Sequence, residues 1–195
     1  MPLHNELWFP SVVWSGIIHT PNNAELKQFA YSKKKQDKGV TISNYKGWQS
    51  NSIQQGESIY VDQLIQTLNQ EINFCTDQVG LPDLELYNIW FNVNPEGAYN
   101  HLHDHAGAVL TGVYYVDADE QQGNLQIERG DNAQYFLPDQ IKKLTYFTAT
   151  RSTYKAKTGA LYIFPAWLKH SVQGNKINRD RISISFNYGV KNNAS

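Results

Sequence analysis

The sequence predicts a mainly antiparallel β fold, most economically a jelly-roll sandwich, with helices packed on one outer face. Two helical patterns precede residue 80, and short alternating or aromatic-rich runs fill the chain after it. Gly, Pro, Asn and Asp separate these runs, as is typical of strands joined by turns. Helices followed by a series of strands favour a sheet with the helices gathered on one side.

The first helix is predicted to begin at Asn22 or Asn23, since asparagine is a preferred N-cap residue. If Asn22 is the cap, Glu25 stands where a capping box would place it. The apolar side of this helix consists of Leu26, Phe29 and Ala30. We expect the helix to fade in the lysine-rich segment Lys33 to Lys38, which is most simply a solvated loop.

A second helix is predicted from apolar residues that recur at spacings of three and four, the pattern of one buried helical face. These residues are Val61, Leu64, Ile65, Leu68, Ile72 and Cys75. Gly80, with Pro82 two residues later, should end the helix.

The strands are predicted where β-branched and aromatic residues alternate with polar ones. They cover Leu84 to Val93, Val109 to Val116, Asn124 to Glu128, Tyr146 to Ala149, Ala160 to Phe164 and Ile182 to Tyr188. We expect one domain over residues 1–195, with a helical part at about 20–80 and a jelly-roll core at about 84–190. The Asn-rich end Lys191 to Ser195 should be frayed.

Composition excludes several classes of protein. A formal net charge of -1 gives no strong basic field for nucleic acid. The only thiol, Cys75, excludes an internal disulfide and a cysteine-rich zinc site, and it fits a reducing compartment. The first eighteen residues do not resemble a signal peptide, and no apolar run is long enough to span a bilayer, so we expect a cytoplasmic protein.

A histidine cluster is the strongest indication of chemistry. His101, His103 and His105 lie within five residues. On a β-strand, side chains two residues apart point to the same face, so any two neighbours of this set could converge on one ion. Neutral imidazoles bind first-row divalent metals, and His170, shortly after the apolar strand that ends at Pro165, is the candidate third ligand. A histidine-rich surface loop is the simpler alternative.

A strand with one polar face is predicted shortly after His170. The alternation after Asp180 puts Arg181, Ser183, Ser185 and Asn187 on one face and Ile182, Ile184 and Phe186 on the other. A guanidinium on an inward face can pair with a carboxylate, and a hydroxyl two residues on can donate to the same group. A surface salt bridge on an edge strand is the alternative.

Seven segments, in the same order along the chain, make this sequence similar to the 2-oxoglutarate and iron(II)-dependent oxygenase superfamily. The resemblance is closest to uncharacterised members common in marine bacteria and their phages. The segments are Leu7 to Pro10, Ser43 to Ser50, Trp90 to Asn92, His103 to His105 followed by Thr111 to Val116, Gly123 to Leu125, Phe164 to His170 and Arg181 to Asn187. The resemblance implies a double-stranded β-helix, a cupin-like jelly roll that uses Fe(II), 2-oxoglutarate and O2.

Carried over residue by residue, the resemblance makes His103, His105 and His170 the metal ligands. Arg181 would then bind the distal carboxylate of 2-oxoglutarate. Supporting contacts to the cosubstrate would come from Ser183, Tyr115 and, less closely matched, Asn92. His105 departs from the family pattern, because many relatives have an aspartate there. His101 with His103 is an alternative ligand pair, and the adjacent Asp104 should point away from the site.

The implied reaction is a dioxygenase reaction of hydroxylase or demethylase type on an unknown prime substrate. The alternatives are a cupin-like metal protein without oxygenase activity, such as an isomerase or a sugar-binding module, and an assembly protein with a decayed site. No motif in the sequence defines the prime substrate or an oligomeric state. Substrate choice should reside in the loops Lys33 to Gln55 and Gly130 to Lys157.

Overall fold

The computed structural model describes residues 3–20 and 22–190. In this part of the chain there are two α-helices, α1 (Asn23–Gln36) and α2 (Ile59–Val79). The strands are β1 (Trp14–Ile17), β2 (Asn44–Tyr45), β3 (Trp48–Gln49), β4 (Leu84–Asn94), β5 (Tyr99–His103), β6 (Leu110–Asp117), β7 (Leu125–Glu128), β8 (Arg151–Tyr154), β9 (Ala160–Pro165), β10 (His170–Val172) and β11 (Arg181–Val190). The frayed end predicted for Lys191 to Ser195 lies outside the described residues.

The strands form two antiparallel sheets, which confirms the predicted fold class of a mainly β jelly roll with flanking helices. The larger sheet has six strands in the order β1-β9-β6-β11-β4-β3. The smaller has five strands in the order β2-β5-β10-β7-β8. This arrangement is consistent with a double-stranded β-helix, and neighbouring strands in each sheet come from distant parts of the sequence.

Both helices pack against the outer face of the larger sheet. Leu26 of α1 and Leu68 of α2 are fully buried there against Phe91 of β4 and Ile184 of β11. This apolar layer occupies one face of β11, and the opposite face of the strand is left for polar side chains. A second apolar cluster contains residues of both sheets, among them Tyr162 and Phe164 of β9 and Leu125 of β7.

The ends of α1 match the prediction in part, since Asn22 is the N-cap residue and the helix ends within the segment Lys33 to Lys38. The Asn22 side chain makes no cap bond, and its amide nitrogen instead donates to Gln63 Oε1 of α2 at 2.6 Å. The helix also continues through Lys33, Lys34 and Lys35 and ends only at Gln36. Basic residues in the last turn interact favourably with the carbonyl end of a helix, so the lysines extend it.

One predicted strand is wrong, and several short ones were not predicted. Residues 146–148 form a turn, and the strand of this region is β8, which begins at Arg151. Strands β2, β3 and β10 have only two or three residues each, too few for an alternating pattern to be visible in the sequence. Among the described residues, no helix combines the length and apolarity needed to cross a membrane.

Candidate metal and cosubstrate site

The two sheets enclose a cavity of about 280 Å³ between them. Its lining includes every residue for which the sequence predicted a role: His103, His105, His170, Arg181, Ser183, Tyr115 and Asn92. The loop Lys33 to Gln55, predicted to determine substrate choice, contributes seven lining residues between Val40 and Ser52. The second predicted substrate loop, Gly130 to Lys157, contributes none.

The three histidine rings converge at one point of this cavity. One ring nitrogen from each of His103, His105 and His170 can be chosen so that all three lie within 4.8 Å of one another. The Nε2 atoms of His105 and His170 are 3.2 Å apart. His170 pairs directly with His103 across β10 and β5, so two neighbouring strands fix these two rings.

Hydrogen bonds at the far side of two rings select the nitrogen that faces the centre. His103 Nδ1 lies 2.7 Å from the carbonyl oxygen of His101, and His170 Nδ1 lies 2.9 Å from that of Leu168. A carbonyl only accepts, so each Nδ1 carries the proton and donates it. Each Nε2 therefore presents its lone pair to the cavity, as in metal-binding histidines oriented by an outer hydrogen bond.

Burial keeps all three rings uncharged. It lowers the pKa of His103, lowers that of His105 to about 4 and lowers that of His170 to about 3. The neighbouring His103 ring lowers the pKa of the other two further. Neutral imidazole is the form that binds first-row divalent ions, so the donor set fits such a metal.

His101 lies outside the cluster for a structural reason. The register between β5 and β10 shifts, with His103 opposite His170 but Asn100 opposite Val172, so β5 has one extra residue. This bulge turns Asn100 and His103 to the cavity, whereas His101 is exposed with its ring 4.9 Å from that of Tyr99. The simple alternation expected for this strand was therefore wrong.

His105 does not lie on the strand, contrary to expectation. It follows the end of β5, and its backbone N–H donates to the carbonyl of Ala166 at 3.0 Å. That bond links it to the turn before His170. Its ring lies 5.8 Å from the indole of Trp90, and Asp104 between the histidines is exposed.

Arg181 is buried in the cavity wall and has no acidic partner in the part of the chain that the structure describes. Its Nη1 donates to three backbone carbonyls, those of Gln122, Gly123 and Gln173, the last two at 3.0 and 3.2 Å. Its Nη2 is buried and has no hydrogen-bond partner among the described residues. Since a buried charge normally has an ionic partner, this guanidinium fits an anionic ligand.

Three further predicted residues form a row beside Arg181. Ser183 of β11 pairs with Asn92 of β4 on one side and with Tyr115 of β6 on the other. The Tyr115 hydroxyl is buried and lacks a hydrogen-bond partner among the described residues, and burial raises its pKa to about 12, so it is a neutral donor. The amide of Asn92 instead donates to Ser185 at 3.1 Å.

Sequence reasoning assigned no role to Ser43, Asn100 or Trp90, although all three line the cavity. Ser43 Oγ lies 3.4 Å from His103 Nε2 and accepts a bond of 3.2 Å from Asn100 Nδ2. Ser43 and Trp90 begin two of the segments that resemble the superfamily, which was the only signal that marked them.

The fold and the site are those of a metal-binding jelly roll with a buried arginine in the same cavity, and a family match identifies the class. The family described as "Putative 2OG-Fe(II) oxygenase" matches residues 88–187, which is just over half of the chain. The protein therefore belongs to this 2OG-Fe(II) oxygenase family. It is an oxidoreductase, and Fe(II), 2-oxoglutarate and O2 are the metal and cosubstrates of its class.

Solved structures share the fold at low sequence identity. A prolyl-4-hydroxylase of Pseudomonas putida has 15% identity and a TM-score of 0.66, over 93% of this chain and 94% of that one. The epimerase SnoN, in complex with Fe3+, alpha ketoglutarate and nogalamycin RO, has 17% identity and a TM-score of 0.68, over 92% and 79%. HygX from Streptomyces hygroscopicus, with nickel and 2-oxoglutarate bound, has 13% identity and a TM-score of 0.63, over 93% and 83%. No curated protein matches the sequence.

Proposed function

We propose that the protein is a 2-oxoglutarate-dependent dioxygenase that hydroxylates a C–H bond of its prime substrate. Hydroxylation of a methyl group on nitrogen or oxygen would lead to demethylation, so both reaction types are included. The observation that carries the proposal is the buried Arg181, which lines the same cavity as three converging imidazoles and whose Nη2 has no hydrogen-bond partner among the described residues. A hydroxylase among the structures of the same fold supports it.

In this proposal Nε2 of His103, a ring nitrogen of His105 and Nε2 of His170 hold iron(II). Bound iron with 2-oxoglutarate supplies the oxidation, in which dioxygen is consumed and the keto acid gives succinate and carbon dioxide. The residues bind and orient. Arg181 would pair with the distal carboxylate through Nη2, and the hydroxyls of Tyr115 and Ser183 would donate to the same group.

The carbonyls around Arg181 keep its side chain in place before the cosubstrate arrives. The three contacts share the two hydrogens of Nη1 and hold the guanidinium in place, so little side-chain freedom is lost when Nη2 pairs with a carboxylate. The same cavity is lined by the apolar side chains of Leu125, Val172 and Phe164. Low local polarity strengthens the ion pair.

The test uses protein reconstituted with iron(II) under anaerobic conditions. Addition of 2-oxoglutarate should produce the weak visible charge-transfer band of a chelated keto acid. Arg181→Ala should weaken 2-oxoglutarate binding by about tenfold to a hundredfold, since a charge-assisted pair is lost, and leave iron affinity nearly unchanged. Arg179→Ala is the matched control, because Arg179 does not line the cavity.

Two outcomes would contradict the assignment of Arg181 or of the reaction. Equal loss of iron and 2-oxoglutarate in Arg181→Ala would mean that the arginine supports the fold rather than the cosubstrate. Iron binding with no affinity for 2-oxoglutarate would favour the cupin-like alternative, an isomerase or a sugar-binding module that needs no such arginine.

The subgroup and the cellular location stay predictions. Seven segments in order support membership of the group found in marine bacteria and their phages. The single cysteine supports a cytoplasmic location.

A further inference from the structure

The cavity around the histidines is poor in charge. Of the residues that line it, Arg181 alone is charged, and none is an aspartate or a glutamate. Asp104, between two of the histidines, is exposed and does not line the cavity. Burial lowers the pKa of His103 and His105, and the charge of Asp104 acts against this shift, but water screens an exposed carboxylate, so Asp104 offsets only part of the charge inside.

The charges of the loaded site do not cancel. This step rests on the proposed function, in which iron(II) and 2-oxoglutarate bind here. Iron(II) and Arg181 together bring three positive charges, whereas 2-oxoglutarate brings two negative ones and the three imidazoles bring none. An aspartate in the place of His105, as in many relatives, would make the sum zero. Here one positive charge is left in a buried site, where an unbalanced charge is costly.

A hydrogen-bond donor faces the same place. The hydroxyl of Ser43, a residue 9% exposed, lies 3.4 Å from His103 Nε2 and already accepts from Asn100. The Ser43 hydroxyl proton is therefore not used in the bond with Asn100. In this structure it is donated to His103 Nε2. Once Nε2 binds a metal, that lone pair is taken, and the Ser43 proton needs another acceptor inside the cavity.

We propose that the loaded site binds a singly charged anion beside His103, on the side of Ser43. The anion supplies the negative charge that an aspartate supplies in relatives, and it accepts the proton of Ser43. Its source is a carboxylate of the prime substrate or a small inorganic anion. A doubly charged group such as a phosphate monoester would leave one negative charge in the site. The described residues of the cavity wall include no second cation to pair with it.

The test compares two probes of equal size that differ in charge. Protein loaded anaerobically with iron(II) and 2-oxoglutarate is titrated with acetate and with acetamide, and binding is followed by calorimetry and by the shift of the charge-transfer band. We expect acetate to bind at least about tenfold more tightly. In His105→Asp the loaded site is neutral, so acetate and acetamide should bind with about equal affinity.

Ser43→Ala provides a second variant that leaves the metal ligands intact. It should weaken acetate binding by about tenfold through loss of one bond to a charged group. Ser52→Ala is the matched control, since Ser52 lines the cavity but is exposed. Chloride that competes with acetate would identify an inorganic anion as the ligand, whereas acetate binding without chloride binding would identify a substrate carboxylate.

The result separates this inference from the proposed function. A site that gives no charge-transfer band with 2-oxoglutarate contradicts the proposed function itself. A normal band with equal affinity for acetate and acetamide overturns only the anion site. A preference for acetate that persists in His105→Asp would also overturn it, because the charge of the ligand set would then be irrelevant.

Discussion

At the scale of single residues, the backbone prepares the histidines to bind a metal before any metal arrives. The carbonyls of His101 and Leu168 hold the protons of His103 and His170 on Nδ1. Both Nε2 atoms are therefore fixed as acceptors, and the side chains lose little freedom on binding. His101 thus contributes its carbonyl, although its ring points away.

His170→Ala should abolish stoichiometric iron binding, because it removes the most deeply buried of the three rings. The loss should exceed the roughly tenfold to hundredfold that follows removal of an outer hydrogen-bond partner. Metal analysis after reconstitution measures it. His101→Ala should retain iron, because its backbone carbonyl remains, and iron loss in that control would show that the ring of His101 is needed after all.

At the scale of elements, β11 and two connections next to it fix the arginine. The segments that contain Gln122, Gly123 and Gln173 turn their carbonyls to the Arg181 guanidinium. Gly123 permits this approach, because a side chain there would lie 2.0 Å from the Gln173 carbonyl oxygen and 2.8 Å from Arg181 Nη1. Its φ of +88° also disfavours other residues.

Gly123→Ala should reduce the free energy of unfolding by about 2 kcal/mol, owing to backbone strain and to the clash with Gln173. It should also weaken 2-oxoglutarate binding, since Arg181 must shift. Urea denaturation and calorimetry measure the two effects. Gly174→Ala is the control, because a side chain there meets nothing within 4 Å. Equal stability of the two variants would contradict the role given to Gly123.

At the scale of the whole molecule, burial of three uncharged histidines makes stability depend on pH. The folded pKa is lowered for each ring, to about 4 for His105 and about 3 for His170, whereas an unfolded histidine titrates near about 6.5. The unfolded chain therefore binds more protons as the pH falls below about 6.5. The stability contributed by the neutral rings is present above that pH. It is lost progressively as the pH falls from there to the pKa values of the folded protein.

Metal-free protein should lose about 1 kcal/mol or more of unfolding free energy for each pH unit between about 6 and 5. Urea midpoints measured across this range test it. His105→Leu should lose less over the same range, because one of the titrating rings is gone. A stability that does not change between pH 7 and 5 would mean that the rings accept protons within the fold.

The sequence by itself determined the features that depend on local pattern. The spacing from Val61 to Cys75 predicted α2, and the alternation after Arg181 predicted a strand with one apolar and one polar face. The spacing of apolar residues along the chain decides which face of a helix or strand is buried. These features could therefore be predicted without knowing which elements pack against that face. The order of the two helices and of the longer strands, and the seven cavity residues with a predicted role, followed from the same patterns and from the resemblance.

Only the tertiary structure decided what depends on partners far away in the chain. In the sequence His101 was left as an alternative to His105, and the bulge of β5 against β10 turns His101 away from the cavity. The bond from His105 to Ala166 and the contact of Ser43 with His103 join segments about sixty residues apart. Such contacts form because the two sheets enclose one cavity. The spacing of residues along a single strand does not determine the register in which it pairs with its neighbours.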